Sequence, residues 1–422
     1  MSQLHRLVLA GCGGMGRRHL RGYRVLTEAE PGRVQLAAVV DPERERAEFV
    51  AAEAERLLGH RPAAFVSLEE AAAGVPELDV VDVVAAVSAH HRITQEAIAA
   101  GMHVLCEKPM APTVAACRAM QRAAGQGGRV LSVAENYRRD PISRLARALV
   151  AAGAIGELRS LVDLAGGGGG NAGHAGAWRY RRTEGGPILE AGVHNADMQQ
   201  YLAGAATRVN GQVRLNEAQR VYRDAPLKAF HDHYAHTNPA VAPADAPDLL
   251  LATVEHAGGA LGQWLYDDSV HGPGLRRFTL FGSEGQIDLP GVRSGKPLQV
   301  FRDDHDGALP DAALLGMVPD FALDERTARL FGGARLARYD SAEAGLGGGA
   351  DLKLLALELA ELLDAVDGGP EVEVGPEVGL SAVALVLACC ESSTAGRSVT
   401  LAEVVDGTLD GYQRSVNRAL GL

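Results

Sequence analysis

Leu7-Val8-Leu9-Ala10-Gly11-Cys12-Gly13-Gly14-Met15-Gly16 is the stretch that decides the fold. Four apolar residues in a row, stopped by a glycine, read as a short strand buried on both faces. Gly11, Gly13 and Gly16 then form GxGxxG, and residues 16–27 carry a helical pattern. In a strand–turn–helix unit such glycines permit the tight turn and bring backbone N–H groups against a pyrophosphate at the helix N-terminus. Gly11, Cys12, Gly13, Gly14, Met15 and Gly16 are therefore candidate cofactor-binding residues. In a chain with 51 glycines the motif gains its weight from context: a second strand over residues 34–40 ends at Asp41. A carboxylate there bonds both ribose hydroxyls and repels a 2′-phosphate, which favours NAD over NADP. The competing reading is a tight turn beside an unrelated acid in the Asp41-Pro42 corner.

Outward from this unit the pattern keeps alternating. Helices are predicted over residues 43–58, 92–100 and 113–124, and strands over 63–66, 80–87, 103–106 and 129–134. This rhythm predicts an α/β domain with a doubly wound parallel sheet over residues 1–137. Residues 138–422 read as a second, α+β domain. There a helix at 141–152 precedes strands at 249–254, 260–265, 277–280 and 299–302, spaced like an antiparallel meander. Helices at 352–366 and 378–392 close that domain, and the Pro-, Gly-, Asp- and Ala-rich stretches 222–247 and 303–350 read as insertions.

Composition narrows the function. Of 422 residues, 47% are hydrophobic and 22% charged, and 53 acidic side chains face 41 basic ones for a net charge of −12. That is a globular composition with chain enough for two or three domains. An acidic balance without a basic cluster predicts no nucleic-acid and no anionic-membrane partner. No apolar run is read as long enough to span a bilayer, and residues 1–6 leave no room for a signal peptide, so the expected compartment is the cytoplasm. Five cysteines, at 12, 106, 117, 389 and 390, form no CxxC and no disulfide framework.

Only four lysines occur, at 108, 228, 296 and 353, so the place of each is informative. Glu107-Lys108-Pro109 ends the fifth strand, on the carboxyl edge where ligands bind in such sheets. A lysine there can donate to a substrate hydroxyl oxygen and stabilise the alkoxide that forms as hydride leaves. Glu107 is expected to orient the ammonium and Pro109 to fix the turn. The plain alternative is a surface Lys–Glu pair.

The stretch Ala99-Ala100-Gly101-Met102-His103-Val104-Leu105-Cys106-Glu107-Lys108-Pro109 resembles the AGKHVLxEKP signature of the glucose–fructose oxidoreductase, inositol dehydrogenase and MocA (Gfo/Idh/MocA) family. The resemblance implies an NAD(P)-binding Rossmann domain followed by an open, mostly antiparallel sheet that carries the substrate pocket. It also implies a homodimer or homotetramer through that sheet.

In the second domain Glu190, His194 and Asp197 stand at i, i+4 and i+7. At about 100° per residue they share one helix face. A histidine between two carboxylates is held in one tautomer and becomes a better base, although such clusters are often only structural. The segment resembles the family's GG-x-L-x-D-x-G-x-H-x-x-D motif, which implies catalytic roles for His194 and its carboxylates. Asp197 matches, whereas Glu190 stands where Asp is commoner.

Further candidates rest mainly on the resemblance. Asn136-Tyr137-Arg138 closes the sixth strand, near where the family places an arginine by the nicotinamide and substrate. Trp178-Arg179 offers a flat aromatic face and a guanidinium fork for a polyol ring. Ser88 and His90 follow the fourth strand, where the family contacts its cofactor, with Val87-Ser88 in place of the usual Thr-Pro. His231, His233 and His236 read as a polar loop rather than a metal site.

The expected function is an NAD-dependent dehydrogenase acting on a ring hydroxyl of a sugar, sugar derivative or cyclitol, or on the ketone in reverse. His194 is the expected base, Lys108 polarises the hydroxyl, and Asp197 and Glu190 tune the histidine. A second expectation recycles NAD for elimination, epimerisation or glycosidic cleavage. A third, from another class, is a non-catalytic NAD-sensing protein, against which the Lys108/His194 pair speaks.

Overall fold

The computed structural model describes residues 3–169, 176–221, 240–341 and 348–422. β1 (His5–Ala10), α1 (Gly14–Ala29), β2 (Val34–Val40), α2 (Arg44–Leu58), β3 (Ala63–Phe65) and α3 (Leu68–Gly74) open the chain. β4 (Val80–Val83), α4 (Val87–Ala99), β5 (His103–Glu107), α5 (Val114–Gly127) and β6 (Leu131–Ala134) complete a six-stranded sheet. Its order is β3-β2-β1-β4-β5-β6 and every pair is parallel. The order reverses between β1 and β4, so their carboxyl ends flank the crevice where ligands bind in doubly wound sheets.

Two local expectations are corrected here. The strand expected over 80–87 ends at Val83, and α4 begins at Val87, which puts Ser88 in a first helical turn. An apolar run does not distinguish strand from buried helix by periodicity alone. Helix α3 was not expected; Ser67 caps it by accepting from the Glu70 N–H at 3.1 Å.

The second half starts with α6 (Pro141–Ala151), β7 (Leu158–Gly166), α7 (Gly186–Glu190), α8 (Gly192–Ala203) and β8 (Ala206–Arg214). β9 (Gln219–Val221) and β10 (Val241–Pro243) form a small antiparallel pair. β11 (Leu249–His256), β12 (Leu261–Asp267), β13 (Leu275–Gly282), β14 (Gly285–Leu289) and β15 (Gln299–Arg302) follow. The chain ends with α9 (Asp311–Met317), α10 (Glu325–Phe331), α11 (Gly349–Val366), α12 (Pro376–Ala395), β16 (Val399–Thr400), α13 (Leu401–Val405) and α14 (Arg414–Leu420).

Eight of these strands form one sheet in the order β15-β14-β13-β7-β12-β11-β8-β16. All neighbours are antiparallel except β7 and β12, because β7 inserts between β12 and β13 and interrupts the meander. One face of the sheet alternates into the core, as in β11, while Leu251, Leu261 and Leu275 stand exposed on the strands.

Helices α11 and α12 join the two halves. From α11, Ala356, Leu359, Ala360, Leu362 and Leu363 enter the core around Leu7, Leu9 and Leu20 of the first sheet. Gly22 makes the contact close: a Cβ there would lie 2.8 Å from the Leu355 side chain. By length and composition alone α12 passes for a membrane-crossing helix, with 20 residues and a mean hydropathy of 1.6 over an 18-residue window, although Glu377, Ser381 and Glu391 keep it from being an unbroken apolar run. In the folded chain 72% of that apolar stretch is buried, among α8, β8 and α5.

Candidate active site

At the end of β1 the backbone requires glycine at two of the three motif positions. Gly11 has φ +119°, and a Cβ there would lie 2.4 Å from the Val84 carbonyl oxygen at the end of β4. A Cβ on Gly16 would lie 2.0 Å from the Gly11 carbonyl oxygen, whereas the space around Gly13 is open. The N-terminus of α1 has no side-chain cap at Gly13, so its first N–H groups are free of that partner. The cradle thus fits a dinucleotide pyrophosphate. Asp41 accepts from the Cys12 N–H at 3.0 Å and the Glu43 N–H at 2.9 Å, tying the turn to the end of β2.

Lys108 leaves β5 through a cis Lys108–Pro109 peptide. Its Nζ donates to the Glu190 backbone oxygen at 3.0 Å and to Glu190 Oε1 at 3.1 Å. The expectation that Glu107 orients the ammonium is therefore corrected. Glu107 instead accepts from His19 Nε2 at 3.1 Å. Glu190 also pairs with Arg179. Burial opposes its charge, but Arg179 and Lys108 hold its carboxyl well below the usual range.

The single helix expected to carry Glu190, His194 and Asp197 is two helices, α7 and α8, parted at Ala191. The three side chains also have different partners from those that their spacing suggested. His194 Nδ1 lies 2.6 and 2.8 Å from the two oxygens of Glu135, at the end of β6. Asp197 instead accepts from Arg138, through Nε at 2.9 Å and through the second nitrogen. The expectation that Glu190 and Asp197 flank the imidazole as its hydrogen-bond partners is thus corrected to Glu135. His194 Nε2 makes no hydrogen bond among the described residues, and Tyr137 stacks on the ring with centroids 4.0 Å apart and planes within 1°.

The electrostatics separate the pair. Burial, then the Lys108 and Arg293 charges, push His194 well below the ordinary imidazole value. Burial pushes Glu135 up to about 7. With Glu135 ionised, Nδ1–H donates to it and Nε2 presents a lone pair. With one proton added, the pair can turn that arrangement round and present Nε2–H.

Other expected residues divide. Arg179 reaches the cluster through Glu190, and Arg138 through Asp197. Asn136 is buried, and its Oδ1 has no hydrogen-bond partner among the described residues. Trp178 is 40% exposed beside Arg179. Ser88 is committed to Glu184, which its N–H meets at 2.9 Å and its hydroxyl at 2.6 Å. His90 is buried, with one ring nitrogen 3.0 Å from the Pro109 carbonyl oxygen and the other 3.0 Å from that of Ala85, so it braces the turn after β5. The histidines at 231, 233 and 236 lie outside the described residues.

Residues 5–135 match the oxidoreductase family model described as the NAD-binding Rossmann fold of GFO_IDH_MocA, and residues 143–288 match the GFO/IDH/MocA C-terminal domain. The chain belongs to the Gfo/Idh/MocA family.

Among similar proteins, levoglucosan dehydrogenase of Pseudarthrobacter phenanthrenivorans is 28% identical over 289 residues, 66% of this chain and 72% of that protein. Inositol 2-dehydrogenase 2 of Saccharopolyspora erythraea is 34% identical over 195 residues, 46% of this chain and 52% of that protein. An NAD-binding oxidoreductase from Klebsiella pneumoniae superposes with a TM-score of 0.72 at 25% identity, covering 94% of this chain and 99% of that one. Levoglucosan dehydrogenase solved with NADH and levoglucosan shares the fold, with a TM-score of 0.72 at 24% identity and the same coverage.

As a Gfo/Idh/MocA member the chain is an NAD-binding oxidoreductase of the dehydrogenase type. The residue that sequence reasoning missed is Glu135. Its signal was its position: it directly precedes Asn136 at the carboxyl edge of β6, the same edge that carries Lys108 on β5.

Proposed function

We propose that this enzyme moves hydride between a ring carbinol of a sugar, sugar derivative or cyclitol and NAD, with His194 as general base and Lys108 polarising the hydroxyl. One observation carries the reading: a buried imidazole fixed at Nδ1 by Glu135, with Nε2 left without a partner among the described residues, in the field of the Lys108 ammonium. That is the arrangement of a base that must accept one proton from a defined direction.

Residues 11–16 and Asp41 hold the dinucleotide, which accepts the hydride when bound. His194 Nε2 takes the hydroxyl proton, and Lys108 donates to the same oxygen as its charge grows. Glu190, pinned by Arg179, keeps the ammonium in place. Glu135 holds the ring and stabilises the charge it gains. The reaction releases one proton for each hydride moved, and in reverse the same residues protonate the alkoxide of a reduced ketone. Trp178, Arg179, Asn136 and Arg138 line the substrate side, and the exposed sheet face with Leu251, Leu261 and Leu275 joins copies of the chain.

The test is absorbance at 340 nm with NAD and a panel of inositols, anhydrosugars, pentoses and glucosides. Wild type should form NADH with one class. Lys108→Met and His194→Ala should bind NAD and form none. Substrate consumed without NADH would instead favour recycled NAD, and variants that match wild type would remove the catalytic assignment.

A further inference from the structure

Arg293 lies between β14 and β15, far in sequence from every motif, and it is a non-glycine residue with φ +67°. Its backbone is pinned: the N–H donates to Asp140 Oδ2 at 2.7 Å, an oxygen that also accepts from the Tyr339 hydroxyl at 2.7 Å. Its side chain points inward. Nη1 donates to Asp351 Oδ1 at 2.9 Å, Nη2 reaches the Tyr137 hydroxyl at 3.5 Å, and the guanidinium carbon lies 5.2 Å from the Tyr137 ring centroid.

Both ends of this contact lead to the site. Tyr137 is the ring stacked on His194. Asp351, fully buried on α11, also accepts from Arg18 Nε at 2.5 Å. Arg18 stands on α1 two residues past Gly16, and its Nη1 touches Met15 Sδ at 3.2 Å. Met15, Arg18, Asp351, Arg293, Tyr137 and His194 thus form one unbroken line of contacts from the cofactor cradle to the proposed base.

We propose that Arg293 is a positioning residue that holds Tyr137 against His194 in register with the glycine turn. The proposal rests on the reading of His194 as base. The groups that face the ring are Glu135 from β6, Lys108 from the β5 end, Glu190 from α7, Glu107 from β5, and the Arg138–Asp197 pair beside it. Lys108, together with Arg293 beyond Tyr137, opposes a charge on the ring, while Glu190 and Glu107 favour it. Removing the Arg293 cation therefore makes the His194–Glu135 pair easier to protonate. The pH at which the pair protonates rises, and with it the acid limb of the oxidation rate.

The experiment is ring-nitrogen NMR of the histidines across pH in the cofactor-free protein, with the His194 signal assigned by His194→Ala. In Arg293→Met the midpoint of the His194–Glu135 pair should rise by about one pH unit. The NAD dissociation constant, read by fluorescence titration, should stay within about twofold of wild type. An unmoved midpoint in a folded Arg293→Met protein would overturn the proposal. Arg293→Lys is the second variant, for the case in which the methionine does not fold. It keeps the cation but lacks the planar fork, so kcat should fall at least about fivefold at unchanged KM while the midpoint stays near wild type. A lysine variant with wild-type kcat would contradict the positioning role. Because the NMR midpoint needs no turnover, a failure of the dehydrogenase reading appears separately, as full activity in His194→Ala.

Discussion

On α1, His19 lies between two carboxylates, with Nδ1 2.7 Å from Asp82 and Nε2 3.1 Å from Glu107; on α8, His194 meets a carboxylate at Nδ1 alone. Both rings are buried. Burial opposes charge in each, yet Asp82 and Glu107 overcome it at His19 and raise that imidazole to about 10. At His194 burial wins with help from Lys108 and Arg293, and the value falls. Two acids, one at each ring nitrogen, make a structural imidazolium. One acid, an open nitrogen and a facing ammonium make a neutral base. The number of carboxylates near a histidine is therefore a poor guide to its work; what decides is whether one ring nitrogen stays open and which sign of charge faces it.

The largest effect expected from breaking this contrast is at His194. His194→Ala should lower kcat by about 10²–10⁴-fold with NAD binding intact, measured by steady-state kinetics and fluorescence titration. His19→Asn leaves Asp82 and Glu107 without their shared cation. It should destabilise the fold by about 3–5 kcal/mol in urea unfolding, with little change in kcat per folded molecule. Glu135→Gln removes the anion that fixes Nδ1–H, so kcat should drop by about 10–100-fold and the acid limb near pH 7 should disappear from the rate profile. Glu190→Asp keeps the charge on Lys108 with a shorter arm and should cost only about two- to fivefold in kcat.

Stability against pH separates the two histidines by sign. His19 has a folded value above the ordinary 6.5, so its contribution is complete below pH 6.5 and is lost as pH rises towards about 10. His194 has a folded value below 6.5, so the unfolded chain binds more protons in acid and stability is lost as pH falls below 6.5. His19→Asn should flatten the alkaline side of the urea-midpoint profile, and His194→Gln should flatten the acid side. The same side flattening in both variants would refute the opposite signs.

The parallel sheet was legible because its signals are local: apolar runs of strand length, glycines with one permitted conformation, and a single acid at the end of β2. Lys108 was legible from scarcity and place. Partners were not. The spacing of Glu190, His194 and Asp197 describes one continuous helix, whereas the folded chain divides it at Ala191, gives Glu190 to Lys108 and Arg179, and gives Asp197 to Arg138. The acid that holds His194 comes from another element, 59 residues earlier. Helical periodicity carries no information about such a contact. The same limit hid α11: its apolar residues were visible, but not that they complete the core of the first sheet. Ser88 and His90 were placed by position after a strand, and only the folded chain has Glu184 and two backbone carbonyls occupying them.

The most direct measurement of the central contrast is the protonation state of both rings in one wild-type sample, read by ring-nitrogen NMR from pH 5 to 9 with His19→Asn and His194→Ala for assignment. The account predicts His19 with both nitrogens protonated at neutral pH and His194 with one, its proton moving between Nδ1 and Nε2 as the Glu135 pair titrates near pH 7. A doubly protonated His194 at neutral pH, or a His19 that loses its proton below pH 7, would contradict it.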